Sequence, residues 1–247
     1  MGIGDGASMM RSSFELVRSN RALLWFPLAS TCCFVVTAGF WLYEGMWLYS
    51  SDGASLLFVP LVIVGLYSVT FVGIFFSVAL AGAANAALEG NVPSFGDGLD
   101  IAWSRRGSIG SWAAYALTVS IALGLVQRAN RWVGTAAEVA WNFATFFVVP
   151  LIAFEGLGGG AARRRSFELA RINWRTESGG LGALQLALFA PALVLVVAVK
   201  ALEGGDLHSH GMQALLGAVV VVGLAIGIVA QVVRQVFAVA LYRASVA

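Results

Sequence analysis

From Ala54 to Leu88 the chain runs 35 residues without a charged side chain. At a helical rise of ~1.5 Å this is ~52 Å, too long for one perpendicular bilayer crossing and too short for two crossings with a turn. The run predicts one long, tilted helix, bent near Pro60 and overhanging the membrane. Four further uncharged runs fit one crossing each: Ala22 to Tyr43, Ser108 to Gln127, Ser178 to Val199 and Gly211 to Val233. A sixth, Trp132 to Phe154, is interrupted by Glu138, a residue suited to the interface. Composition agrees with a membrane chain. Hydrophobic residues make up 59% and charged residues 11%, against roughly 25% charged in soluble domains. A soluble globular domain and a disordered chain are both excluded. A net charge of +2 gives no general basic excess for nucleic acid, and no nucleic-acid partner is expected.

The expected fold is therefore an all-α integral membrane protein with six transmembrane helices. Positive charge is retained on the cytoplasmic side of short loops. With both termini cytoplasmic, twelve arginines lie inside and only Arg128, Arg131 and Lys200 outside. This makes the cytoplasmic (inner) membrane the expected location. Arg128 and Arg131 depart from the rule and are expected on a short interfacial helix. The first span leads into Glu44 and a Trp-rich loop rather than a small-residue cleavage site, so it is expected to stay. Cys32 and Cys33 are adjacent within that span and suit neither a disulfide nor a metal site.

The chain also repeats itself. Arg11-x-Ser-Phe14-Glu15-Leu16-x-Arg18-x-Asn20 returns at an offset of 153 as Arg164-x-Ser-Phe167-Glu168-Leu169-x-Arg171-x-Asn173. As helices, both copies are amphipathic. Met10, Phe14 and Val17 oppose Arg11, Glu15 and Arg18 in the first, and Phe167, Ala170 and Trp174 oppose Arg164, Glu168, Arg171 and Arg175 in the second. Between them, Ser94 with Asp97 three residues on predicts a helix start, followed by a face of Phe95, Leu99 and Trp103. The chain reads as one transmembrane domain of three units, about 8–91, 92–156 and 157–247, each an amphipathic helix followed by two spans. Phe and Trp suit the acyl boundary and Arg suits lipid phosphates. Arg11, Phe14, Arg18, Trp103, Arg163, Arg164, Arg165, Phe167, Arg171 and Trp174 are accordingly the expected contacts for anionic headgroups or for a protein partner. The triplet Arg163 to Arg165, after Gly158-Gly159-Gly160, is the leading lipid contact.

Four spans are expected to end in the same dipeptide, Glu44-Gly45, Glu89-Gly90, Glu155-Gly156 and Glu203-Gly204. Glycine reaches the left-handed conformation that commonly follows a helix. The glutamates oppose the partial negative charge of a helix C-terminus and need water or a cation. Asn85, Glu89, Asn142, Glu155, Gln231 and Arg234 are the candidates for a transport path or for buried polar packing, with Gln185 as a further polar residue inside a span. Arg234 is expected to snorkel at the inner end, to pair with Glu89 or Glu155, or to meet a substrate. Gly223-x-x-x-Gly227 would allow close helix approach. His208 and His210 form an incidental loop pair. No motif for a metal site, a cofactor or catalysis stands out.

The segments RSSFELVRSNRALLWFPL, SFGDGLDIAW and FFVVPLIAFEG followed by RRRSFELARINW resemble a family of uncharacterised prokaryotic multispanning membrane proteins. They are more distantly similar to the membrane region attached to some glycerophosphodiester phosphodiesterases. The resemblance implies six helices and leaves the function open. The expected function is non-enzymatic: a scaffold or accessory subunit acting through helix packing, lipid contacts, and a protein partner or homo-oligomer. The alternative is a small-solute transporter or channel with a polar path near the cytoplasmic ends of spans 2, 4 and 6. A transporter predicts a hydrated cavity beside Glu155 or Arg234. A packing role predicts that such residues are paired near the inner surface.

Overall fold

A computed structural model describes residues 3–52, 56–176, 178–180 and 210–246. Among these residues every regular element is helical. The helices are α1 (Ile3–Ser19), α2 (Trp25–Asp52), α3 (Phe58–Leu88), α4 (Phe95–Ser104), α5 (Arg106–Ala129), α6 (Arg131–Ala144), α7 (159–176) and α8 (His210–Val246). A 3-10 turn, Arg21–Leu24, joins α1 to α2. Five helical stretches are long and apolar enough to cross a membrane: Arg21–Ser50, Phe58–Leu88, Arg106–Ala129, Arg131–Glu155 and Val221–Val246. The expected span from Ser178 to Val199 lies, beyond Gly180, outside the described residues. So do Gln185, Lys200, Glu203-Gly204 and His208.

Several boundaries differ from the sequence reading. Helix α2 runs straight through Glu44-Gly45 to Asp52, so that dipeptide is not a terminus. In α3, Pro60 occupies the first turn, where its missing N–H breaks no helical bond, and the expected bend has no cause there. Arg128 closes α5 and Arg131 opens α6, with no separate interfacial helix between them. Asn130 makes that hairpin, its side-chain oxygen accepting from the N–H groups of Trp132 (3.1 Å) and Val133 (3.2 Å). The last helix does not stop at Val233 but continues to Val246.

Helix α6 ends at Ala144 and the chain turns through residues 145–147 before a short helical segment, Val148–Pro150, and a π-helical turn, Leu151–Glu155. Pro150 has no N–H to offer the carbonyl of Phe146, so a regular α-helix is interrupted here. The Phe147 N–H, left without a helical partner, donates to the Ser166 hydroxyl of α7 at 3.1 Å in a buried setting. The start of α4 follows the sequence prediction: Ser94 accepts from the Asp97 N–H at 3.3 Å. Gly90 and Gly156 have φ of +81° and +68°, as expected of glycines that follow a helix.

Burial divides the molecule into two zones. The core consists of Leu23 and Phe26, the stretch from Val78 to Ala87, Ile109 and Trp112, the stretch from Phe146 to Ala153, Leu169 and Ala170, and the stretch from Val232 to Tyr242. It therefore occupies the C-terminal portions of α3 and α8 and the α6–α7 connection, wrapped by α1, α4 and α7. Close backbone approaches hold the wrapping helices. A Cβ on Gly98 of α4 would lie 2.6 Å from the Ala79 carbonyl oxygen and 2.7 Å from the Phe26 ring. A Cβ on Gly6 of α1 would strike the backbone at Thr176, and one on Gly180 would enter the Phe237 ring. The remaining portions of the long helices expose apolar side chains, including Val35, Val36 and Phe40 on α2, Val59 and Ile63 on α3, Leu125 on α5 and Val221 and Leu224 on α8. That division is what hydrocarbon as a solvent produces, since an apolar face needs no partner there.

Candidate functional site

The two glutamates that end α3 and the π-turn are held by consecutive residues of α8. Arg243 reaches Glu89 at 3.2 Å, and the same guanidinium donates to the Asn85 side-chain oxygen (3.1 Å) and backbone oxygen (3.4 Å). The Asn85 amide donates to Glu89 at 3.0 Å. One residue earlier, the Tyr242 hydroxyl donates to Glu155 at 2.9 Å while its ring stacks on Phe154 at 5.7 Å. A single turn of α8 thereby ties α3 to the π-turn. On the other side of that turn, Arg105 donates to the Ala153 carbonyl (3.3 Å), and the Ser108 hydroxyl donates to the Gly156 carbonyl. Gly156 has φ +68°, which favours glycine, and a Cβ there would lie 2.6 Å from the Arg105 guanidinium, which would have to shift. The side chains of Arg105, Ser108, Tyr242 and Arg243 thus make all these ties at the same end of the bundle.

Of the polar residues picked out by sequence, Asn85, Glu89 and Glu155 meet in this cluster. Arg234 does not. It is exposed and makes no ion pair among the described residues, so Arg243 takes the pairing expected of it. Nine residues separate the two, and at ~100° per residue they project from opposite faces of α8. Gln231 is likewise exposed, and exposed Asn142 accepts from the Thr145 hydroxyl through its backbone oxygen (3.5 Å). Sequence reasoning missed Tyr242 and Arg243 because the last span was taken to end at Val233. It also missed Gln235, whose Nε2 is buried without a hydrogen-bond partner among the described residues.

The second group surrounds this cluster. Both copies of the repeated decapeptide share one side-chain bond: Asn20 donates to Leu16 O (3.1 Å) at the end of α1, and Asn173 to Leu169 O (3.0 Å) within α7. Each helix divides into a buried and an outward face. Helix α1 buries Met10, Ser13 and Val17, and α7 buries Ala162, Ser166, Leu169, Ala170 and Asn173. Phe14 (49% exposed), Phe167 (46%), Trp174 (50%) and Trp103 (64%) face outward instead. The reason is packing distance: small and polar residues let α1 and α7 approach the core closely, which a bulky aromatic would prevent. Arginines stand among these outward aromatics. Arg106 lies over the Trp103 ring and Arg175 over the Trp174 ring, each at 5.5 Å. Arg11 pairs with Glu15 at 3.5 Å and Arg165 with Glu168 at 3.4 Å. Arg18, Arg164 and Arg171 are exposed, while Arg163 is half-buried with its Nε unpartnered among the described residues.

A cavity of another kind lies elsewhere. A groove of about 600 Å³ lies between α2 and α3, lined from Phe34 to Tyr49 and from Phe58 to Val69 entirely by apolar and aromatic side chains and glycine.

Long apolar helices, lipid-type exposure and a charged, aromatic rim define an all-helical membrane protein. The chain belongs to a family of unknown function (DUF6159), whose model matches residues 57–247. The match begins at α3, so α1, α2 and the first copy of the decapeptide lie outside it. No curated protein and no solved structure gives a significant match.

Proposed function

We propose that this is a multi-pass protein of the cytoplasmic membrane that acts as a scaffold or accessory subunit. In this reading both termini and all three amphipathic helices face the cytoplasm, and α1, α4 and α7 each open a unit of two spans. The hydrocarbon boundary falls near Ala79 of α3 and Val233 of α8. From Phe58 to Ala79 is 21 residue steps, or ~32 Å at ~1.5 Å each, close to the ~30 Å of the apolar slab. The ends of α3 and α8 then overhang into the cytoplasm, and Arg234 sits at the inner interface, where its side chain snorkels to lipid phosphate.

The observation that carries this reading is the outward display of Phe14, Trp103, Phe167 and Trp174 among arginines on three separate helices around one end of the bundle. Aromatic rings at the acyl boundary beside cations at the phosphates are the chemistry of a surface that meets anionic lipid and a membrane-bound partner. The tying of Glu89 and Glu155 by Arg243 and Tyr242 favours this role over transport, because a path residue must exchange its partner for solute.

The test is recovery of the protein from its native membrane in mild detergent after cross-linking, with Phe14, Trp103, Phe167 and Trp174 intact or all replaced by Ala. A discrete hetero-complex or homo-oligomer that is lost in the quadruple variant supports a scaffold. Recovery as a monomer in both, together with ion or solute flux in reconstituted vesicles that Glu89→Gln or Glu155→Gln abolishes, establishes transport instead.

A further inference from the structure

The groove between α2 and α3 is set apart from the polar cluster in both position and chemistry. It begins at Phe34, two turns beyond Phe26, where α2 crosses α4, and extends to Tyr49 near the far end of that helix. On α3 it runs from Phe58 to Val69, in the half remote from the buried stretch that starts at Val78. It therefore lies in the half of the bundle farthest from α1, α4 and α7. Its walls are Phe34, Trp41, Leu42, Met46, Leu61 and Leu66, among others, with no charged side chain, and its floor is opened by Gly45 and Gly65. Trp41 packs directly on Gly65, where a Cβ would come within 3.1 Å of the indole.

We propose that this groove is a binding site for one acyl chain of a phospholipid from the leaflet opposite the amphipathic helices. Three quantities select that occupant. The α3 wall, eleven residue steps from Phe58 to Val69, is ~16 Å long at ~1.5 Å per step. A leaflet contributes half of the ~30 Å hydrocarbon core, so one tail reaches ~15 Å. The groove is open along its length and about 600 Å³ in volume, which admits a flexible chain of that reach. Water is excluded as the resident, because an apolar cavity without polar partners stays dry. Exposed Tyr43, Trp47 and Tyr49 stand on the same end of α2, where aromatic rings meet headgroups and would hold the parent lipid at the right depth. The inference rests on the membrane placement proposed above, but not on the scaffold role.

The test uses the full chain in phosphatidylethanolamine–phosphatidylglycerol vesicles containing a trace of phosphatidylethanolamine with a diazirine on one acyl chain. After irradiation, adducts are mapped by peptide mass. Labelling is expected to concentrate on 34–49 and 58–69 at one lipid per protein. Gly45→Trp, which fills the groove, lowers it about tenfold, equivalent to ~1.4 kcal/mol. Ala38→Trp does the same from the opposite end, while Val36→Trp, on an exposed position outside the groove, leaves it unchanged. Adducts spread evenly over exposed apolar positions such as Val36, Trp132 and Val221 would overturn the proposal. So would groove peptides left unlabelled while adducts form elsewhere, the result if a second copy or residues 181–209 fill the groove, or undiminished labelling in Gly45→Trp. The wild-type map decides the matter even if a filled variant does not fold. A protein that labels as expected but is recovered as a monomer retains the lipid site and loses the scaffold.

Discussion

Replacing Arg243 with Ala removes three contacts at once: the ion pair with Glu89 at 3.2 Å and the hydrogen bonds to the side chain and backbone of Asn85. At an effective dielectric near 20, charges at this separation attract by ~5 kcal/mol before any desolvation. The two side chains are 40% and 44% exposed, however, so most of that attraction is screened. A net coupling of ~0.5–1 kcal/mol is expected for such a pair. The charged hydrogen bond to Asn85 contributes about 1 kcal/mol more, at the low end for charged donors because it is half in water. Glu89 also caps the C-terminus of α3, where the helix dipole opposes a negative charge by ~0.3–1 kcal/mol once Arg243 is gone. Arg243→Ala should therefore destabilise the fold by ~2 kcal/mol, and Glu89→Gln by ~0.5–1 kcal/mol, since Gln still accepts from Asn85. The double variant should cost ~0.5–1 kcal/mol less than the sum, a cycle that isolates the pair. Unfolding in mixed micelles of mild detergent and dodecyl sulfate reads all four proteins. Additive effects, or an Arg243→Ala variant as stable as the wild type, would refute the reading of these residues as a structural tie.

Two further outcomes separate residues that look equivalent in the sequence. Ser166→Ala should lose ~1–3 kcal/mol, because the buried Phe147 N–H is left without an acceptor. Ser13→Ala, at the matching repeat position, should change stability by less than ~0.5 kcal/mol, since its hydroxyl donates only to Met9 O within its own helix. The same micellar unfolding experiment compares them, and equal losses would contradict the assigned role of Ser166. Gly98→Ala should undock α4 at a cost of ~1–3 kcal/mol, because its new Cβ meets the Ala79 carbonyl and the Phe26 ring. Proteolysis within 95–104 that is no faster in this variant would argue against that packing.

What the sequence discloses follows from the range of the physics involved. Apolar runs and glycine termini are local, and they located α3, α5, the start of α4 at Ser94 and the left-handed Gly90 and Gly156. Where a helix stops after it leaves the membrane is not recorded in apolar content. Helix α2 therefore ran past Glu44, and α8 past Val233 to the residues that bind Glu89 and Glu155. Helical periodicity separates an apolar from a charged stripe on α1 and α7, but groups the buried Met10, Val17 and Ala170 with Phe14, Phe167 and Trp174, which face outward. An amphipathic helix at an interface has three environments, and periodicity alone does not divide an apolar stripe between core and lipid. The partner of Phe147 was beyond local reasoning, because Ser166 is 19 residues away on another helix.

The shared orientation of the three amphipathic helices is tested most directly by single cysteines at Glu15, Asp100 and Glu168, introduced after Cys32 and Cys33 are replaced by Ser. A membrane-impermeant maleimide should leave all three unlabelled on intact cells and label all three once the cells are opened. Labelling of any one of them from outside would contradict the account.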